Sequence, residues 1–250
     1  MEEKLVSVIM PTYNCAKFIE ETIKTVIAQT YKNWELIIVD DCSKDNTEKI
    51  VKKLQLQDNR INYLKFETNQ GAAMARTKAM EMAKGNYMAF LDSDDLWVED
   101  KLEKQIKFMN ENNYNFTCTD YEQIDEQGKG LGKIIKTKTK VDYNRLLLDC
   151  PVGNSTVMYN VDNLGKFKVP NIRKRNDDAL WLQILKKEKY IYGMNGILMK
   201  YRVRQNSISS NKLDLVKYHW QLYREIEHLS VIRSAFHVCW WGIIKVLHIK

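Results

Sequence analysis

The residues best suited to chemistry stand together at Asp92-Ser93-Asp94-Asp95, three carboxylates within four positions. They follow directly on a short apolar run, Tyr87 to Leu91, which Gly85-Asn86 bounds on its other side. Such a run between turn residues and acids reads as a buried strand. The acids then sit at its carboxyl end, the edge where open α/β sheets bind ligands. In extended chain Asp92 and Asp94 share a face and stand about 6–7 Å apart. Like charges that close repel unless a cation offsets them. A hard divalent ion, held by one or two carboxylates and completed by phosphates, meets that need. An exposed acidic turn capping a helix from Trp97 onward is the competing reading, because Asp-rich turns commonly precede helices.

The elements that must position these acids repeat a simple unit. Leu5 to Met10 is a buried first strand stopped by Pro11, and Asn14 is placed to cap a helix over Ala16–Gln29. Glu35 to Val39 is a second strand ending in Asp40-Asp41, and a polar turn, Ser43 to Thr47, leads to a helix with Ile50, Val51 and Leu54 inward. Ile61 to Phe66 is a third strand, and Asn69-Gln70-Gly71 turns into a helix over Ala72–Lys84. Such alternation implies right-handed crossovers in a parallel, doubly wound sheet. Three strand ends then meet on one edge: Pro11-Thr12-Tyr13-Asn14, Asp40-Asp41-Cys42-Ser43 and the acidic cluster. Tyr13 offers a flat face on which a nucleobase could stack, or merely finishes its strand. Asp41 could accept from a pyrimidine imide or a ribose hydroxyl, or serve as a helix N-terminal acid. Arg76 could reach the same pocket or lie solvated on its helix.

The second half is less periodic. Leu102, Ile106 and Met109 mark a helix, Phe116 to Tyr121 a strand, and Gln123–Lys140 a hairpin or a loop. Ser155–Tyr159 and Ile197–Val203 read as strands, and Asp177–Lys187 and Lys212–His228 as helices. Ser234–Lys250 combines Phe236, Trp240, Trp241 and Ile243 with Lys and His; it is either a helix lying on a membrane surface or one docked on the domain or on a second subunit. The 250 residues suit one domain with a C-terminal appendage, and the net charge of +7 favours anionic partners: nucleic acid, phospholipid or phosphorylated small molecules. Five scattered cysteines without metal-ligand spacing point to reduced thiols in a cytosolic compartment. The acidic Met1-Glu2-Glu3 start is unlike a signal peptide, and no apolar run is long enough to span a bilayer. Neither a dinucleotide fingerprint nor a P-loop is present; Gly128-Lys129-Gly130-Leu131-Gly132 joins no strand to a helix.

Taken in order, Val6-Ser7-Val8-Ile9-Met10-Pro11-Thr12-Tyr13-Asn14, Val39-Asp40-Asp41-Cys42-Ser43, Gly71 through Ala75-Arg76, and Phe90-Leu91-Asp92-Ser93-Asp94-Asp95 resemble the family 2 glycosyltransferases of bacterial cell-surface polysaccharide synthesis. The resemblance is fullest over residues 5 to about 105 and continues through Arg175-Asn176-Asp177-Asp178-Ala179-Leu180-Trp181-Leu182 and Tyr201-Arg202-Val203. It implies a GT-A fold, a Rossmann-like α/β architecture with a central, mostly parallel sheet, helices on both faces and a C-terminal helical extension. The expected division is a GT-A domain over 1–211, with a nucleotide-binding half at 1–105 and an acceptor half at 106–211, then the extension at 212–250. It further implies a nucleotide-diphosphate sugar donor (a UDP-sugar is expected), Mn²⁺ or Mg²⁺, inversion at the anomeric carbon, and a glycan or lipid-linked glycan acceptor rather than nucleic acid.

Carried over by position, Pro11, Thr12, Tyr13, Asp41, Arg76, Asp92 and Ser93 would hold the nucleotide sugar, and Asp94 with Asp92 the metal. The family's later block carries a general-base aspartate one residue ahead of an aromatic. Alignment on Leu180-Trp181-Leu182 places that aspartate at Asp177, but Asn176 stands where Glu is frequent and Asp178 where the aromatic is usual, so Asp177 and Asp178 both remain candidates. Gly153-Asn154-Ser155-Thr156 is a candidate lining of the sugar pocket. Arg173-Lys174-Arg175 and Lys200 to Arg204 either contact an anion or form a solvated face. A cytoplasmic protein touching the inner membrane face through 234–250 is expected, with a homodimer left open. Two alternatives stand beside glycosyl transfer: a sugar nucleotidyltransferase, and a catalytically inactive nucleotide-sugar-binding protein associated with the membrane.

Overall fold

A computed structural model describes residues 3–204 and 212–247. The expected boundary at 211/212 and the last residues of the 234–250 tail lie outside the described residues. The first half runs β1 (Val6–Thr12), α1 (Ile19–Ile27), β2 (Trp34–Asp40), α2 (Thr47–Gln55), β3 (Ile61–Lys65), α3 (Ala72–Met82) and β4 (Tyr87–Phe90). The second adds β5 (Leu96–Trp97), α4 (Lys101–Asn112), β6 (Phe116–Ile124), β7 (Gly130–Ile135), β8 (Lys140–Val141) and α5 (Tyr143–Asp149). It continues with β9 (Met158–Asn160), α6 (Val161–Leu164), α7 (Asn176–Leu185) and β10 (Ile191–Arg202), and closes with α8 (Lys212–Gln221) and α9 (Val231–Leu247).

Among the described residues all ten strands join one sheet, whose central path is β3-β2-β1-β4-β9-β6-β10-β5. The first four strands are parallel, as the repeated crossovers require. Beyond β4 the sheet is mixed rather than mostly parallel: β9 runs antiparallel to both β4 and β6, while β6 and β10 are parallel. Alternate strand residues face opposite layers. Val8, Met10, Leu36, Ile38 and Leu91 pack with α1, α2 and α4; Ile9, Ile37, Val39, Met88 and Phe90 pack with α3, α5 and α7. On α3 the small Ala73, Ala75 and Ala79 are buried, which lets the helix lie close against the sheet.

Several local expectations change. Pro11 does not stop β1. The Ile9 carbonyl accepts from Leu91 and the Thr12 carbonyl from Asp41, so alternate residues face the two neighbouring strands. Pro11 therefore faces the side on which β4 has already ended, where no ladder donor is needed. Asn14 does not cap α1: its backbone is left-handed, its N–H donates to Ser43 Oγ, and its side chain accepts from Lys44 N, tying two loops together. No helix starts at Trp97, because Leu96 and Trp97 pair antiparallel with β10; α4 begins at Lys101. Gly130–Ile135 settles the glycine-rich stretch as the second arm of a hairpin with β6. The Lys212–His228 helix changes to a π-helical turn at Leu222–Ile226.

The C-terminal helices dock on the second half. Tyr223 Oη donates to the Leu147 carbonyl at 2.8 Å, and Lys186 pairs with the buried Glu227 at 2.8 Å. Among the described residues no helix is long and apolar enough to cross a membrane.

Candidate active site

β1, β2 and β4 end side by side, so the loops after them share one edge. Asp40 is fully buried and structural: it accepts from Ser43 N at 2.7 Å and from Tyr63 Oη at 2.7 Å. Asp41 points the other way and accepts from Gln70 N at 2.6 Å and Gly71 N at 2.8 Å. Gly71 has φ of +93°, a conformation that suits glycine as it opens α3. Burial raises the Asp41 carboxyl above its ordinary value, against the opposing pull of those two N–H groups. Thr12 is buried with an unpartnered Oγ, and Tyr13 is 49% exposed, its ring free for stacking.

Arg76 is 4% exposed, not solvated. One guanidinium nitrogen donates to Asn176 Oδ1, and the other reaches Asp92 Oδ1 at 3.1 Å. Its Nε is buried without a partner. One arginine thus links α3, the end of β4 and the first turn of α7.

The acidic cluster divides into three roles. Asp95 is sealed in: it accepts from Ser155 Oγ at 2.6 Å and from Arg202 N at 3.0 Å, and burial holds its carboxyl well above the ordinary value. Asp92 stands at the mouth and accepts from Asn154 Nδ2 at 2.8 Å as well as from Arg76, both at Oδ1, so that Oδ2 is left for a ligand. Its surroundings push it up to about 6, desolvation first, with Arg76 opposing and the charges of Asp94 and Asp177 adding to the rise. Asp94 pairs with Arg204 Nε at 3.1 Å and is raised by burial. Ser93 turns its carbonyl back to Cys15 Sγ and Thr22 Oγ, which pins the loop to α1.

Two raised carboxylates with spare oxygens suit a hard cation. Among the described residues no third metal-binding side chain joins them, so an ion there would take its remaining ligands from bound phosphate and water. The donor set therefore fits Mn²⁺ or Mg²⁺ held jointly with a substrate.

Asp177 and Asp178 separate cleanly. Asp178 is 3% exposed and ion-paired with Arg175 at 2.6 Å; burial lifts it to about 6 despite that pair. Asp177 is half-buried, in the first turn of α7, near enough to Asp92 for its charge to be felt there. Asn176, a departure from the family pattern, supplies the acceptor for Arg76. The 3₁₀ turn Asn154–Thr156 lies against the acids. Its hold on them had no sequence signal: Ser155 Oγ accepts from Asp92 N at 3.0 Å, and the Ser155 carbonyl accepts from Trp97 Nε1 at 2.8 Å. Arg202 is not part of a solvated face. It is 2% exposed and bonds the Asp94, Asp125 and Glu126 carbonyls and the Glu21 carboxylate.

Comparison with known proteins agrees with this geometry. Residues 7–167 match glycosyl transferase family 2. A Bacillus subtilis (strain 168) protein provisionally named as a teichuronic acid biosynthesis glycosyltransferase, TuaG, is 46% identical over 93% of this chain and 92% of its own length. The Escherichia coli UDP-Glc:alpha-D-GlcNAc-diphosphoundecaprenol beta-1,3-glucosyltransferase WfgD is 43% identical over 89% of this chain and 86% of its own. The S. aureus TarS 1–349 structure in complex with UDP-GlcNAc shares the fold with a TM-score of 0.72 at 21% identity, covering 96% of this chain and 71% of that one. The loops gathered on the carboxyl edge are those of a GT-A glycosyltransferase, and the chain belongs to glycosyl transferase family 2.

Proposed function

We propose that the protein transfers a sugar, with inversion, from a UDP-sugar to a hydroxyl of a lipid-linked glycan, in cell-surface glycan synthesis at the cytoplasmic side of the membrane. The observation that carries this is the Asp92–Asp94 pair at the sheet edge, with Asp177 near enough for its charge to act on Asp92. Similarity to WfgD, whose name gives a UDP-glucose donor and a diphosphoundecaprenol acceptor, supports the choice of donor and acceptor.

Thr12, Tyr13 and Asp41 receive the base and ribose: Tyr13 stacks, and Asp41 accepts from an imide N–H or a hydroxyl. Arg76 holds Asp92 in place. Asp94 and Asp92 would hold a divalent ion, which would supply Lewis-acid stabilisation of the departing diphosphate. Asp177 takes the proton of the acceptor hydroxyl as that oxygen bonds to the anomeric carbon. The bond from that carbon to the phosphate oxygen breaks on the opposite face, and its electron pair leaves with UDP. General-base assistance of this kind is typically worth about 10²–10⁴-fold.

The test is UDP release from a panel of UDP-sugars with a prenyl-diphosphate-linked sugar as acceptor. Chelation should abolish transfer, added Mn²⁺ or Mg²⁺ should restore it, and Asp94→Ala should lower it by at least about 100-fold. Full activity in Asp94→Ala removes the metal from the reaction.

A further inference from the structure

The large apolar side chains left in water are not spread evenly. Of twelve exposed among the described residues, seven (Val216, Trp220, Val231, Ile232, Phe236, Trp240 and Ile243) fall within the last two helices and their connection. On α9, Ile232, Phe236, Trp240 and Ile243 recur at spacings of four, four and three, which places them on one face. The opposite face is spoken for. Ser234, His237 and Trp241 are buried, with the Trp241 ring 4.5 Å from His219 and the His237 ring 5.3 Å from Tyr223. The helix is thus docked on the domain by a polar-aromatic face and presents its more apolar face outward, the reverse of an ordinary surface helix.

We propose that this outward face is a membrane-docking surface that lies on an anionic phospholipid bilayer. The side chains are those of an interfacial helix: Trp and Phe for the headgroup boundary, Ile for the acyl region beneath. Lys217, three residues before Trp220, and Arg233, next to Ile232 in the chain, are exposed cations on the same two helices; between them Arg224 donates to the Leu229 carbonyl and Glu225 is an exposed anion, so the described stretch stays net positive. The whole chain carries +7. Charge also discriminates against a second copy. A twofold contact through this stripe would set the same cations around both sides of one interface, where an anionic bilayer complements them. Among the described residues no helix is long and apolar enough to span, and the stripe is one-sided, so the contact is parallel to the membrane plane. Its purpose rests on the lipid-linked acceptor proposed above, since an acceptor held by its lipid is met at the membrane surface; its physical basis is the helix face alone.

The experiment is co-sedimentation of the full chain with vesicles of phosphatidylcholine alone or with 30% phosphatidylglycerol (about a third anionic lipid, enough for a marked surface potential), without donor or acceptor. The expected result is binding to the anionic vesicles with a blue shift of tryptophan emission. Binding should fall at least tenfold in Phe236→Glu/Trp240→Glu, and separately in Ile232→Glu, at a side chain 84% exposed, with the melting temperature unchanged. UDP release to a water-soluble acceptor analogue should be the same in wild type and variants. Wild type that stays in the supernatant, or variants that sediment equally, overturn the proposal. So does a wild-type dimer that these variants split while no vesicle binds, because the face is then a self-association surface. Loss of transfer with vesicle binding intact would instead strike the proposed function and leave the docking face standing.

Discussion

Asp177 and Asp178 are adjacent in the chain and stand in opposite surroundings. The sequence left both open, because Asn176 stands where Glu is frequent and Asp178 where the aromatic is usual. The separation depends on tertiary partners: Arg175 holds Asp178 inside at 2.6 Å, while Asp177 keeps a half-exposed carboxylate beside Asp92. Two different losses follow. Asp177→Asn should lower the transfer rate by about 10²–10⁴-fold and leave UDP affinity and melting temperature unchanged. Asp178→Asn should leave a partly buried guanidinium without its counter-charge, which costs about 3 kcal/mol, or roughly 6–12 °C in Tm for a chain of this size, with the folded fraction still active. Single-turnover assays beside melting curves decide it. A stable Asp178→Asn that transfers nothing, next to an active Asp177→Asn, would move the base by one residue.

At the scale of the element, α4 shows how a helix can be foreseen and its interior still misread. Leu102, Ile106 and Met109 gave its phase from the sequence, but Lys101 and Gln105 share that inner face and are fully buried. A lysine at such a position reads as surface on any polarity scale, because only tertiary partners make its burial tolerable. Here Lys101 Nζ donates to Gln105 Oε1 at 2.8 Å and lies 4.2 Å from the Trp97 ring centroid. Gln105 Nε2 in turn donates to Thr117 Oγ and to the Thr156 carbonyl, each at 3.0 Å. This buried chain props the 3₁₀ turn that carries Asn154 and Ser155 into the site. Burial lowers the Lys101 ammonium to about 7 from an ordinary 10.5, so between those values the unfolded chain binds a proton that the folded one does not. Stability therefore rises with pH across that window, and the whole cost is borne below pH 7. Lys101→Met keeps the volume and removes the charge. It should gain on the order of 5 kcal/mol below pH 7, with the gain shrinking by about 1.4 kcal/mol per pH unit and vanishing above about pH 10.5. Urea unfolding at pH 6 and pH 9.5 measures both ends. An equal effect of the substitution at the two would show that Lys101 is not held neutral by burial.

For the whole molecule, the division between what was legible and what was not follows the sheet. Each βα unit of the first half is local, so hydrophobic period and turn residues sufficed for β1 to β4 and for the edge on which their loops meet. The second half enters out of order: β9, β6, β10 and β5 pair across long stretches and in both senses, which no local pattern encodes. The site is assembled from both halves. Thr12, Asp41, Arg76, Asp92 and Asp94 come from the first; Asn154, Asn176, Asp177 and Arg204 come from the second. A ligand at the edge should therefore stabilise the molecule as one unit rather than one half of it. Saturation at about 100 times Kd is worth about 2.7 kcal/mol, or roughly 5–11 °C in Tm here. UDP with Mn²⁺ should raise the single unfolding transition by that amount, and by more than the separate shifts from UDP and from Mn²⁺ added together, if the diphosphate completes the proposed ion's coordination. In Asp94→Ala the shift from UDP alone should persist and the manganese increment should vanish. Equal UDP shifts with and without Mn²⁺ in the wild-type protein, after chelator treatment, would mean that Asp92 and Asp94 hold no ion between enzyme and donor. A first transition that moves while a second stays put would mean that the two halves unfold, and bind, separately.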